Sequence, residues 1–146
     1  MKVREISNSK KDYTEFVNLF YRTDYSFKSN QISNIQTEVD PCDPIPDYNE
    51  FCDILNFGLY QYFVLENDDK KVIGLTQVLE NEICEFTIDR EHQLSGNGRI
   101  FYQLLEKIIK ASGAKNIVLT CYFPGSMIFW KKMGFKNHNI IFTKEL

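Results

Sequence analysis

Residues 82–100 read Glu-Ile-Cys-Glu-Phe-Thr-Ile-Asp-Arg-Glu-His-Gln-Leu-Ser-Gly-Asn-Gly-Arg-Ile. The order is a strand-like run, a glycine-bearing turn and the start of a helix. The first turn of a helix carries N–H groups without intrahelical partners, and the dipole adds about half a positive charge there. Glycine lets an anion approach the backbone closely. The turn Gln93-Leu94-Ser95-Gly96-Asn97-Gly98 can therefore cradle a diphosphate. Three designs of phosphate turn compete. The pattern GxxxxGK[ST] does not occur, and GxGxxG/A fails because Phe101 stands where a small residue is needed. The pattern QxxGxG at a strand-to-helix turn is met by Gln93, Gly96 and Gly98. The competing reading is a helix-start glycine pair with no ligand.

A second segment joins this one. Phe129-Trp130-Lys131-Lys132-Met133-Gly134-Phe135 reads aromatic-aromatic-x-x-x-Gly-Phe. With the strand and turn before it, the stretch from about Glu82 to Phe135 resembles the GNAT superfamily of acyl-CoA-dependent N-acyltransferases. The spacing from Leu119-Thr120 to Gly134-Phe135 is similar to that of its histone-acetyltransferase branch. The first 58 residues match only in outline, as the two helices the family sets beside its acceptor site. The resemblance implies acetyl-CoA as cosubstrate and no metal. It places the diphosphate on the N–H groups from Leu94 through Ser95, Gly96, Asn97, Gly98 and Arg99 to Ile100. It pairs the pantetheine with the strand edge at Phe86, Thr87 and Ile88, as an added strand would pair. The thioester carbonyl then lies near Ile88, polarised by a backbone N–H. Arg99 and Lys132 become candidates to neutralise phosphate, against a reading as exposed basic side chains. Pro124, Phe129 and Trp130 line the thiol end, with core packing the competing role for Phe129.

Attack by an amine on a thioester requires a base for the ammonium proton. Simple alternation puts Glu82 on one face with Cys84, Phe86 and Ile88, where desolvation would raise its pKa. The position of Glu82, counted back from Gln93, also matches the glutamate base of the histone-acetyltransferase branch. Glu85 lies on the opposite face by the same alternation; a β-bulge would swap the faces. The family's usual tyrosine acid is missing from the Phe129-Trp130 pair. Tyr122 and Cys121 are the substitutes nearby, unless the thiolate leaves unaided.

These residues need a scaffold. Val3–Ile6 suits a short strand. Ser9 and Asp12 frame a capping box before Tyr13, Phe16, Val17 and Phe20, which recur at helical spacing. Residues 24–39 have weak periodicity. Pro41, Pro44 and Pro46 mark a loop before a second helix, opened by Asp47-Tyr48-Asn49-Glu50 and stopped by Gly58. Three strands follow, Leu59–Glu66, Lys71–Leu79 and Glu82–Asp89. Ile100, Phe101, Leu104, Leu105, Ile108 and Ile109 form a helical stripe ended by Gly113. The chain closes with a strand over Ile117–Cys121, a helix over Ser126–Met133 and a last strand over Asn139–Lys144. The expected fold is α/β: a mixed, mostly antiparallel sheet of about six or seven strands with helices on both faces, in a single domain over residues 1–146.

Composition narrows the function classes. The chain has 146 residues, 43% hydrophobic and 14% aromatic, too apolar for a disordered protein. No apolar run approaches a membrane span, and the polar start lacks a signal peptide's core. Cys42, Cys52, Cys84 and Cys121 are too dispersed for a zinc site and read as free thiols of a cytoplasmic protein. His92 and His138, the only histidines, argue against a His-rich metal site. A net charge of −3 with no basic patch argues against nucleic acid. Residues 29–69 hold nine acids and no Lys or Arg, while residues 90–146 hold nine Lys or Arg against three acids. The basic half suits an anionic cosubstrate and the acidic half, above all residues 38–53, a cationic acceptor such as a polyamine, an aminoglycoside-like amine or a basic peptide end. Two readings follow: an N-acetyltransferase acting as monomer or homodimer, or a non-catalytic acyl-CoA-binding regulatory module.

Overall fold

The computed structural model describes residues 1–20 and 45–146, with Phe20 described by its backbone alone. Cys42, Pro41, Pro44, the weakly periodic stretch 24–39 and much of the acidic segment lie outside the described residues. A seven-stranded sheet organises the rest. Its strands are β1 (Lys2–Glu5), β2 (Gln61–Glu66), β3 (Val72–Leu79), β4 (Glu82–Ile88), β5 (Asn116–Thr120), β6 (Lys136–His138) and β7 (Ile141–Glu145). Their spatial order is β1-β2-β3-β4-β5-β7-β6. Every pairing is antiparallel except β4 with β5.

Helices α1 (Lys10–Phe20) and α2 (Tyr48–Phe57) cover one face. Ile6, Leu19, Phe51, Val64 and Val72 are buried beneath them. Helices α3 (Asn97–Ala111) and α4 (Pro124–Lys132) cover the other. There Phe63, Val78, Ile83, Ile117, Leu119 and Phe142 meet Tyr102, Leu105, Ile109 and Trp130 in the largest core cluster. Alternation along β2 explains the division, since Phe63 and Leu65 face α3 while Val64 faces α1 and α2.

Local sequence signals set most boundaries. The α2 capping box is complete: Asp47 accepts from the Glu50 N–H, the Glu50 carboxylate accepts from the Asp47 N–H, and Gly58 ends the helix at φ 71°. Only the forward half of the α1 box forms, with Ser9 Oγ accepting from the Asp12 N–H at 3.1 Å. The Asp12 carboxylate instead accepts from Ser7 and Arg4.

Three expectations need correcting. The last strand is a hairpin of β6 and β7 around Asn139, whose φ of 53° makes the reversal. The helix placed at Ser126 begins at Pro124, which suits the first helical position because proline has no N–H to leave unpaired. A 3-10 turn over Arg90–His92, unmarked by periodicity, separates β4 from the glycine turn.

Candidate active site

The glycine turn is built from the end of β4 upward. The Asp89 N–H donates to Ile73 O at 2.8 Å, the last bond joining β3 to this segment. Asp89 is fully buried, and its Oδ1 accepts from the Glu91 N–H, which starts the 3-10 turn. Gln93 Nε2 then reaches back to Ile88 O at 2.9 Å. Leu94 at φ 60° and Gly96 at φ 87° turn the chain into α3. The side chains of Ser95 and Asn97 brace the loop internally. Asn97 Nδ2 donates to His92 O at 2.9 Å and Ser95 Oγ at 3.0 Å, while Ser95 Oγ donates to His92 O at 3.0 Å. Ile100 is the first residue whose N–H enters the helix ladder, bonding Gly96 O. The N–H groups of Leu94 through Arg99 donate to no acceptor among the described residues. Six consecutive free donors at a helix start form a nest that can accept an anion. Ile100, by contrast, is outside the donor set.

The two glycines serve different needs. A Cβ on Gly96 would meet nothing within 4 Å, so its left-handed φ is the requirement. A Cβ on Gly98 would lie 3.3 Å from Phe129 Cε2, so here the requirement is close approach of a ring.

Beside the nest the sheet opens. Strand β5 pairs with β4 only at Glu82↔Val118 and Ile83↔Leu119. Beyond Ile83, β4 runs on to Ile88 without β5. Because Asp89 bonds back to Ile73, ladder alternation points the backbone groups of Glu85 and Thr87 toward β3 and those of Phe86 and Ile88 into the gap. Gln93 takes Ile88 O, which leaves the N–H and C=O of Phe86 and the N–H of Ile88 along the gap. The Phe86 ring is not available to a ligand. It packs on Phe101, Phe129 and Trp130, with centroids 4.9, 5.9 and 5.1 Å away.

A β-bulge overturns the face assignment along β4. Gln77 pairs with Glu85 and Val78 with Ile83, so Cys84 is the extra residue. Ile83, Phe86 and Ile88 consequently share the α3 face, while Glu82, Glu85 and Thr87 share the α1–α2 face. Glu82 is half-buried there rather than enclosed among Phe86 and Ile88. Tyr62 lies beside this group, a residue that no sequence signal marked. Burial pushes its phenol up, and the charges of Tyr60, Cys84 and Glu85 push it further. Burial and then the Glu82 charge likewise raise the Cys84 thiol.

The remaining candidates scatter. Trp130 is 6% exposed and packs on Tyr102, Phe129 and Phe135 in the core. Phe129 is half-buried between Phe86 and Gly98. Pro124, Arg99 and Lys132 are exposed. Tyr122 is 67% exposed at the end of β5, while Cys121 is buried with Sγ toward Phe123 O at 3.6 Å. Cys52, Cys84 and Cys121 are free thiols. Among the described residues no group of three or more His, Cys, Asp or Glu could hold a metal, and no helix is long and apolar enough to cross a membrane.

Known proteins share this fold. Residues 28–135 match the acetyltransferase (GNAT) family profile. The PaiA N-acetyltransferase of Thermoplasma acidophilum, solved with coenzyme A, superposes with a TM-score of 0.73 at 16% identity, covering 99% of this chain and 98% of that one. GCN5 of Tetrahymena gives 0.67 at 12% identity, over 99% and 96%. A spermidine N-acetyltransferase chimera of Vibrio cholerae SpeG and hSSAT gives 0.66 at 18%, over 94% and 81%. At these identities the likeness is one of fold. No curated protein matches the sequence.

Proposed function

The chain belongs to the acetyltransferase (GNAT) family, and from that premise we propose that it moves an acetyl group from acetyl-CoA to a primary amine of a small cationic molecule or of a peptide or protein, by direct attack in a ternary complex. The observation that carries this reading is the continuity of two unpaired surfaces. The free N–H nest of Leu94–Arg99 runs directly into the open backbone edge at Ile88 and Phe86. A diphosphate on the nest and an amide-bearing arm along the edge would satisfy both. Arg99 and Lys132 are exposed near the ends of their helices and supply charge for the phosphates.

The nest adjoins Ile88, so the reacting carbonyl belongs further along the strand than Ile88. Two residues of strand span about 6–7 Å, which takes the arm from Ile88 to Phe86. The Phe86 N–H, pointing into the gap, is the oxyanion donor in this arrangement. Glu82 takes the proton of the acceptor ammonium, directly or through water. The freed amine forms the C–N bond, the C–S bond breaks, and coenzyme A leaves as thiolate. Glu82, Glu85 and Tyr62 face the α1–α2 side, which supports entry of the amine from that side. One of the similar structures is a spermidine N-acetyltransferase chimera, in keeping with a cationic acceptor here.

A specific observation favours the second reading, a binding module without catalysis. Neither Phe129 nor Trp130 has a hydroxyl, and Tyr122 is largely exposed. Thiol release from acetyl-CoA across a panel of amines separates the two. Release with at least one amine, lowered about 10²–10⁴-fold by Glu82→Gln with coenzyme A affinity retained, supports the enzyme and its base. Coenzyme A binding without release on any amine supports the module.

A further inference from the structure

Thr76 interrupts an apolar wall. It lies on β3 between Gly74, which the Ile88 and Phe101 side chains approach, and Val78, which packs under α3. Its cross-strand neighbours are Phe63 on β2 and Phe86 on β4. The side chain is fully buried. A buried hydroxyl costs free energy unless it is hydrogen-bonded, and valine has the same branching without a hydroxyl to satisfy. The bond that this hydroxyl makes is therefore informative. Thr76 Oγ1 donates to Glu85 O at 2.7 Å.

Glu85 O and the Phe86 N–H belong to one peptide unit. The unit is planar and trans, so its carbonyl and its N–H point in opposite directions. Anchoring the oxygen on the β3 side aims the N–H into the gap between β4 and β5. The unit also sits beside the break in the ladder, where Cys84 is extra and the pairing jumps from Gln77↔Glu85 to Val78↔Ile83. A bulge disrupts the ladder locally and bends its strand. Here a side-chain bond fixes the peptide plane next to that disruption. It also polarises the amide, because hydrogen bonds in series strengthen one another, and so makes the N–H a better donor. We propose that Thr76 is a positioning residue for acetyl transfer, whose hydroxyl holds the Glu85–Phe86 peptide so that the Phe86 N–H meets the oxyanion developing on the thioester carbonyl. The inference rests on the reading of the Phe86 N–H as oxyanion donor. Such a donor stabilises the transition state more than the bound thioester. Losing its orientation slows transfer and spares cosubstrate affinity, which the Leu94–Arg99 donors supply.

The test is the single-turnover rate of thiol release from acetyl-CoA with the fastest amine of the panel, the chain being in excess and above its Kd. Calorimetric affinity for coenzyme A is measured beside it. Thr76→Val is expected to slow transfer about 10-fold, less than the 10²–10³ lost when a donor is removed outright, with coenzyme A affinity kept within about twofold. Thr76→Ser, which keeps the hydroxyl, is expected to restore the rate to within about threefold of the natural chain. Should the valine protein fail to fold, Thr76→Ala makes the same comparison with serine. An unchanged rate without the hydroxyl overturns the proposal. So does a serine protein as slow as the valine or alanine one, or a loss of coenzyme A affinity as large as the loss of rate, which marks a general disturbance of the strand. A natural chain that binds coenzyme A but releases no thiol with any amine overturns the acetyl-transfer reading and this role with it. A natural chain that turns over no faster than its valine variant overturns the role of Thr76 alone.

Discussion

Gly98 and Gly96 stand two residues apart and answer to different forces. Gly98 leaves room for the Phe129 ring, and Gly96 adopts a φ of 87° over open space. Asn tolerates the left-handed region, so Gly96→Asn is expected to retain most of the stability and coenzyme A affinity. Gly98→Asn drives a side chain into Phe129 and is expected to cost about 1–3 kcal/mol. Urea unfolding of both variants checks the contrast, and equal losses would refute it. The positions of both glycines were legible as QxxGxG. Their separate reasons were not, because Phe129 is 31 residues from Gly98 in the chain and meets it only across the fold.

At the scale of elements, one ion network ties β1, β2 and α1 together. Arg4 forks onto Asp12 through Nη1 and Nη2, both at 2.8 Å, and its Nε reaches Glu66 at 2.9 Å. Lys2 adds a contact to Glu66 at 3.3 Å. Both carboxylates are over nine-tenths buried. The Arg4 hydrogen bonds hold Asp12 down at about 2, against the opposing effect of burial, and they hold Glu66 below its usual range as well. A carboxylate depressed in the folded state stabilises above its unfolded pKa and loses that contribution as pH falls through the folded value. For Asp12 the loss therefore runs from about pH 5 to about pH 2 and amounts to about 2 kcal/mol. Urea midpoints across that window are expected to fall more steeply for the natural chain than for Asp12→Asn. The same scale holds the main misreading. Alternation along β4 was legible, but the bulge at Cys84 was not, because the pairing with β3 creates it.

For the whole molecule, the gap between β4 and β5 divides the sheet into a four-stranded and a three-stranded part. Two residue pairs, hydrogen bonds between Asn81 and the β5 residues Asn116 and Val118, and the helices α3 and α4 join these parts. A ligand that binds only the folded chain stabilises it by mass action, by about 2.7 kcal/mol at a hundredfold excess over Kd. For a domain of this size that corresponds to roughly 5–10 °C in Tm. Coenzyme A and acetyl-CoA are expected to produce such a shift in a thermal melt, and adenosine, which lacks the diphosphate, is expected to produce far less. Equal shifts from all three would remove the diphosphate from its central place.

Residue order alone determined most helices and strands, the α2 capping box, the glycine turn and the family likeness, since each depends on neighbours within a few positions. Tertiary structure alone decided which face Glu82 occupies, that Trp130 belongs to the core, that Tyr62 joins the carboxylates, and that Asp89 and His92 lie under the nest. These depend on strand register and on rings packed from distant segments, and no local pattern of residues carries that information.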